Sequence, residues 1–307
     1  HELWRLTFPV NKLNQQTEQL SPLSSRPAYT ETENELTVKA NKRTFIFSKK
    51  DGQLKGISVD NRKISFANGP RFIGARRADR SLDQFYNHDD EKAKEKDRTY
   101  SEFPDAAVFT KLDVKEDGGN LVVTANYKLG NLDKAQWTIN PSGELALDYT
   151  YNFSGVVDLM GIRFDYPEDQ VISKRWLGAG PYRVWQNRIH GTQYDVWEND
   201  YNDPIPGETF TYPEFKGYFG DVSWMNIQTK EGTISLTNET PDAYIGVYQP
   251  RDGRDRLLYT LPESGISVLN VIPPVRNKVN STDLCGPSSQ PKWVNGPQTG
   301  RVIFRFM

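Results

Sequence analysis

Aromatic, glycine and arginine residues are concentrated in one stretch of the sequence, from Trp176 to Trp197. The stretch contains three glycines, a proline, three tryptophans, two tyrosines and two arginines, in the order WLGAGPYRVWQNRIHGTQYDVW. A tryptophan ring can stack on the C–H face of a pyranose, while arginine and amide groups can bind its hydroxyls. These residue types predict an irregular, carbohydrate-facing loop. The alternative is that the tryptophans belong to the core and the arginine stems cover them.

Six residues are candidates for facing carbohydrate. They are Trp185, Arg188, Arg183, Trp197, Arg76 and Asp83. The last two belong to a second stretch, Gly69 to Tyr100, which has many charges and no strand period, so a long binding loop is predicted there. Carboxylates in these loops could bind calcium or sodium, with Asp79, Asp83 and Asp203 as candidates, but oxygen ligands are too common to define a metal site. No metal site and no cofactor are therefore assigned to this chain.

Catalytic motifs are absent from the sequence. It has no GxSxG elbow, HExxH pair, Walker loop or dinucleotide fingerprint. Its three histidines, His1, His88 and His190, are far apart, and a lone histidine is more often structural or exposed. Paired carboxylates of the glycosidase type remain open at Asp195, Glu198 and Glu214, although turn formation explains these acids more simply. No catalytic residue is assigned.

Composition excludes several classes of protein. The net charge of −2 over 307 residues gives no basic field for nucleic acid. No apolar run approaches the roughly 20 residues of a membrane-spanning helix, so no membrane partner is expected. The single cysteine, Cys285, allows no internal disulfide. Since periplasmic proteins can also lack disulfides, the compartment stays open, with a periplasmic or secreted location favoured over a cytoplasmic one.

Antiparallel strand signals occupy most of the chain. Alternating runs such as ELTVKA and RTFIFSK are joined by turn residues, as at Asp51-Gly52, and no long amphipathic helix interrupts them. This predicts an all-β fold, a large sandwich or barrel. Residues 1–32 are expected to be a remnant strand of a preceding domain plus a polar linker, and residues 33–307 the β domain.

The tryptophan-rich stretch resembles the C-terminal, small-chain domain (domain 5) of β-galactosidase-like family 2 glycoside hydrolases. Its Trp-Leu-Gly-x-Gly-Pro run at residues 176–181 matches, and Arg188 falls on the family's arginine. Arg183, Trp185 and Asn187 stand where the family has glutamate, tyrosine and aspartate, which removes two acids. The stretches at 1–8, 41–54, 70–83, 285–287 and 291–293 follow the family's order, and 1–8 resembles the closing strand of its immunoglobulin-like domain.

The resemblance implies a galactose-mutarotase-like β-supersandwich that follows a catalytic barrel. That barrel carries both catalytic glutamates of a retaining glycosidase, so this chain is expected to be an accessory domain that shapes or caps the sugar site, with the barrel, the preceding β domains and carbohydrate as partners. The resemblance allows a divalent or sodium ion in the parent enzyme. It also places Val268 where β-galactosidases have a stacking tryptophan. The alternatives are an autonomous carbohydrate-binding module and, less favoured, an aldose epimerase or polysaccharide lyase.

Overall fold

The computed structural model describes residues 25–77, 99–201, 216–248, 261–275 and 286–307. Nineteen strands lie in these ranges. They are β1 Ala28–Glu31, β2 Glu35–Ala40, β3 Arg43–Ser48, β4 Leu54–Val59, β5 Arg62–Ile64, β6 Ala67–Arg77, β7 Tyr100–Glu102, β8 Val108–Asp117, β9 Asn120–Lys128, β10 Leu132–Ile139, β11 Leu145–Val157, β12 Leu159–Asp165, β13 Val171–Gly180, β14 Gln193–Asp200, β15 Trp224–Thr229, β16 Gly232–Asn238, β17 Tyr244–Val247, β18 Ile266–Val271 and β19 Lys292–Phe306. Helical structure in the described ranges is limited to short 3-10 turns, and none could cross a bilayer.

The strands form two large antiparallel sheets, which confirms the predicted all-β class. The ten-stranded sheet has the order β1-β2-β3-β4-β6-β12-β18-β17, with β5 on β4 and β7 on β6. The nine-stranded sheet has the order β14-β13-β15-β16-β19-β11-β10-β9-β8. Each sheet combines strands that are far apart in sequence, so neither is built from one continuous part of the chain.

One hydrophobic core fills the space between the sheets. Alternate residues of the strands point into it, as the pleat requires. Trp137 of the nine-stranded sheet has its ring 6.0 Å from the rings of both Phe47 and Phe164 in the ten-stranded sheet. Phe66 packs on Phe304 at 5.1 Å between ring centroids. The two sheets therefore share a single core.

A polar contact also joins the sheets. The carboxylate of Glu231, in the turn between β15 and β16, accepts hydrogen bonds from the backbone N–H of Ser65 at 2.8 Å and from its hydroxyl at 2.6 Å. It accepts a third from the hydroxyl of Tyr166 at 3.0 Å. Because Ser65 and Tyr166 flank strands of the ten-stranded sheet, this side chain joins the ends of strands in the two sheets.

Two expectations about secondary structure are wrong in detail. The segment expected to be a loop from Gly69 contains β6, which runs to Arg77. Its central part is buried on both faces, so it lacks the polar alternation that reveals a half-buried strand. The tryptophan-rich stretch, expected to be irregular, forms β13 and β14 at its two ends.

The amino-terminal boundary stays a prediction. Strand β1 lies within the expected linker of residues 1–32 and pairs with β2, so the sheet begins before residue 33. The expected remnant strand falls in residues 1–24, outside the described ranges.

Candidate functional site

The middle of the ten-stranded sheet carries a second apolar cluster on the face that points away from the nine-stranded sheet, here called the outer face. Phe72 of β6 belongs to the shared core, whereas Ile73 and Ala75 belong to the second cluster. Leu159 and Leu269 join them from the neighbouring strands. The strands at this place are thus covered on both sides, and the outer cover comes from the tryptophan-rich stretch.

Trp185 is part of that cover and is not carbohydrate-facing. After β13 ends, the chain passes through Pro181 and crosses to the outer face, where Val184 exchanges two backbone hydrogen bonds of 2.7 Å with Tyr218. The ring of Trp185 is 0% exposed and lies edge-on to Tyr218 at 5.8 Å. Trp176 is equally buried, in the shared core. For these two tryptophans the alternative, that they are core residues, is confirmed, because their large apolar surface is worth more inside than at the surface.

Arg183 is also buried, with 3% of its surface exposed. Its guanidinium carbon lies 5.9 Å from the ring centre of Phe219. Burial raises the pKa of Tyr218, and the positive charge of Arg183 opposes that rise. The expected role of Arg183 as a surface donor to sugar does not fit this buried position. Its guanidinium packs against the ring of Phe219 instead.

The remaining candidates lie on three separate elements. Arg188 is exposed in the turn after Trp185, where its backbone N–H donates to the Trp185 carbonyl at 2.8 Å. Trp197 of β14 is half-buried, and its indole N–H donates to the carbonyl of Gln193 at 3.2 Å. Arg76 is exposed in β6, opposite Ser101. Carbohydrate contact by these three stays a prediction.

Several sequence candidates fall outside the described residues. They are Asp79, Asp83, Asp203, Glu214, His1, His88 and Cys285. His190 is described and exposed, and its carbonyl accepts a hydrogen bond of 3.5 Å from the Tyr182 hydroxyl.

Two amides that follow Trp185 hold the cover in place. Gln186 donates to the carbonyls of Ser288 and Gln290 at 2.6 and 2.8 Å. Asn187 donates to the carbonyl of Val275 at 2.7 Å and accepts from its backbone N–H at 2.9 Å. The amide that replaces the family's aspartate is thus satisfied inside the fold, where it joins the loop to the segments that precede and follow residues 276–285.

A charged cluster on the outer face was not predicted from the sequence. Arg71 and Arg163 stand directly opposite each other on β6 and β12, a like-charged pair that would repel without compensation. Asp165 pairs with Arg71, and Glu102 pairs with Arg163 at 2.9 Å. Burial raises the pKa of Asp105, although Arg71 and Arg163 lower it. We call these five residues the arginine–carboxylate cluster.

This cluster has the chemistry of a polar ligand site. Guanidinium donors and carboxylate acceptors side by side can bind the hydroxyls of a sugar or orient one carboxylate. The sequence signal is weak, because Arg71 and Arg163 are 92 residues apart and only the pairing of β6 with β12 brings them together.

Val268 gives no information about a stacking platform. It lies in β18, is 1% exposed and belongs to the core between the sheets. A side chain that faces this core could not present a ring to a ligand, so the position assigned from the resemblance does not bear on specificity.

The chain is therefore a large antiparallel β-sandwich. Its central strands β6, β12 and β18 are covered on both faces, and a polar cluster lies on the outer face of the ten-stranded sheet. Residues 39–274, most of the chain, match the family described as Beta galactosidase small chain. The chain belongs to this family and is a carbohydrate-related, β-galactosidase-like domain. This confirms the relationship predicted from the Trp-Leu-Gly-x-Gly-Pro run.

Solved structures with a similar course of the chain include several that are named as epimerases or mutarotases. A galactose 1-epimerase from Lactobacillus acidophilus NCFM has 10% identity and a TM-score of 0.48, over 92% of this chain and 99% of that one. A GalM/aldose epimerase homologue from C. elegans has 7% identity and a TM-score of 0.39, over 92% and 99%. A putative mutarotase (YeaD) from Salmonella typhimurium has 9% identity and a TM-score of 0.39, over 94% and 95%. A search of curated proteins found no match.

Proposed function

We propose that this chain is the non-catalytic accessory domain of a retaining, β-galactosidase-like glycoside hydrolase. The observation that carries the proposal is the family match over residues 39–274. In this proposal the hydrolytic acid and nucleophile belong to a barrel of the parent protein, and this domain supports the barrel and completes one wall of the sugar site.

The arginine–carboxylate cluster is the part of the domain best suited to that wall. Arg163 is held by Glu102 and donates to the carbonyl of Glu263, so its guanidinium is pre-oriented on the outer face. A fixed donor loses little conformational entropy when a hydroxyl binds to it. The cluster would therefore orient substrate without taking part in bond cleavage.

Turnover assays test the accessory role. The 307-residue chain is expected to hydrolyse no nitrophenyl β-galactoside, whereas the chain joined to its upstream barrel is expected to do so. Hydrolysis by the chain alone would overturn the proposal.

A variant of the joined enzyme tests the cluster. Arg163→Ala is expected to raise KM by at least about tenfold, because a hydrogen bond from a charged donor contributes about 1.5–3 kcal/mol and about 1.4 kcal/mol is a factor of ten. Arg175→Ala is the matched control, since Arg175 is exposed in the other sheet and its ion pair with Glu198 is long, at 3.9 Å. A smaller fraction of folded enzyme would lower the apparent kcat and leave KM unchanged, so KM reports on the cluster itself. An unchanged KM in Arg163→Ala would remove the cluster from the proposal.

The two alternatives lead to different results. An autonomous binding module would bind sugar through Trp197 and Arg188, and Trp197→Ala would abolish that binding; burial removes Trp185 from this hypothesis. A free-standing epimerase or lyase would convert its substrate without the barrel. An epimerase would need a histidine acid, and His190, the described histidine, is exposed in a turn.

A further inference from the structure

The strands β11 and β19 form a ladder that pairs every residue from Leu145 to Val157. Tyr149, Tyr151 and Phe153 point into the shared core. Successive side chains of a strand point to opposite faces, so the residues between them face away from the core. This places a continuous row of side chains on the face of the nine-stranded sheet that points away from the shared core.

An exposed tryptophan lies at one end of the row. Trp293 is 71% exposed, while its neighbour Val294 packs against the core. A tryptophan ring in this position offers a flat apolar face on which a ligand can stack. Its backbone is well supported, since the turn at Pro287–Ser289 just before it is tied to Gln186.

Small polar side chains fill the middle of the row. The hydroxyl of Ser154 donates to the side-chain carbonyl of Asn295 at 2.8 Å across the two strands. The next outward pairs toward the carboxyl end of β19 are Asn152 with Pro297 and Thr150 with Thr299. These side chains offer hydroxyl and amide groups with little charge.

The other end of the row opens into a groove of about 360 Å³. Arg301 lies in it and is held by Asp148 at 2.5 Å and by Glu239 at 3.0 Å. Lys134 lines the same groove, so two cations stand beside two carboxylates. Because these charges balance, the groove favours neither an anion nor a cation over a neutral ligand.

We propose that this row, from Trp293 to Arg301, binds a neutral oligosaccharide along the β11–β19 ladder. The ring of Trp293 would stack on one sugar, and the polar pairs and Arg301 would bind hydroxyls of the following ones. Eight residues of strand separate the two ends, about 27 Å at the usual rise per residue. The ligand is therefore a chain of several sugars rather than a monosaccharide. This inference does not depend on the accessory role, because it concerns binding by the chain itself.

Calorimetry with the 307-residue chain tests the inference. The probes are β-1,4-linked galactohexaose and cellohexaose, with galactose and glucose as short controls. At least one hexasaccharide is expected to bind, and its monosaccharide to bind at least about tenfold more weakly. Trp293→Ala is expected to weaken hexasaccharide binding by about tenfold or more, since truncating an aromatic anchor removes much of the affinity of an interface.

Two further variants locate the site. Thr299→Val keeps the shape of the side chain and removes one hydroxyl, so a smaller loss of affinity is expected. Tyr29→Ala, at an exposed aromatic of the other sheet, is expected to change nothing.

Four results would overturn the inference. They are no binding of either hexasaccharide, full binding by Trp293→Ala, loss of binding in Trp197→Ala alone, or self-association of the chain that disappears in Trp293→Ala. The last would identify the row as an interface between copies of this chain.

Discussion

Asn187 shows how one side chain can replace a family residue and take a structural role. Its amide both donates to and accepts from Val275, and it also donates to the hydroxyl of Ser289 at 2.8 Å. An aspartate at this position could accept but not donate. The amide therefore suits a site where one carbonyl and one N–H must be satisfied together.

Removal of this amide should destabilise the fold. Asn187→Ala leaves the N–H of the fully buried Val275 without its acceptor, which should lower the free energy of unfolding by about 1–3 kcal/mol. Urea denaturation followed by circular dichroism measures the change. Arg188→Ala is the neighbouring control and should stay within about 0.5 kcal/mol of the parent, because Arg188 is exposed. Equal stabilities of the two variants would contradict the structural role of Asn187.

At the scale of elements, hairpins account for most of the local structure. The turn predicted at Asp51-Gly52 joins β3 to β4, and Gly52 has φ of +72° with its N–H donating to the Ser48 carbonyl at 2.9 Å. A Cβ on Gly52 would lie 2.6 Å from the ring of Phe109 and 2.8 Å from Ala125. Both the backbone conformation and the packing of this hairpin on the opposite sheet require glycine.

Gly52→Ala is therefore expected to be destabilising. The combination of a positive φ and a steric clash should cost about 1–3 kcal/mol. Gly56→Ala, four residues later, is the matched control, since its Cβ would meet nothing closer than 3.7 Å. Thermal unfolding of both variants measures the difference. A melting temperature of Gly52→Ala equal to that of Gly56→Ala would show that the turn adapts.

At the scale of the whole molecule, one core joins two sheets built from interleaved parts of the chain. Phe47 and Phe164 approach Trp137 from the opposite sheet, and Glu231 bridges the sheets at the ends of their strands. A side chain in this interface stabilises both sheets at once. An exposed side chain of the same type stabilises neither.

Two tryptophans allow this to be tested. Trp137→Ala should lower the free energy of unfolding by about 3–5 kcal/mol, because it removes a fully buried indole and leaves a cavity. Trp293→Ala should change it by less than about 0.5 kcal/mol. Chemical denaturation of the two variants gives both values. A large loss in Trp293→Ala would mean that this side chain supports the fold. Thr299→Val would then be the variant that tests oligosaccharide binding.

The sequence by itself determined the all-β class, the hairpin turns and the family, because these depend on local periodicity, on glycine at positive φ and on a short run of characteristic residues. It did not determine which aromatic side chains are buried. Trp185 and Trp293 each stand within two residues of a basic residue, a valine and an asparagine, yet one is 0% and the other 71% exposed.

Only the tertiary structure decided between them. Burial depends on which strands pair and on which face of a sheet a loop crosses, and the contacts that fix both join residues far apart in the chain. Arg71 meets Arg163 through the pairing of β6 with β12, and Arg301 meets Asp148 through the pairing of β19 with β11. The charged clusters of this protein therefore follow from strand register, which a local pattern of residue types cannot specify.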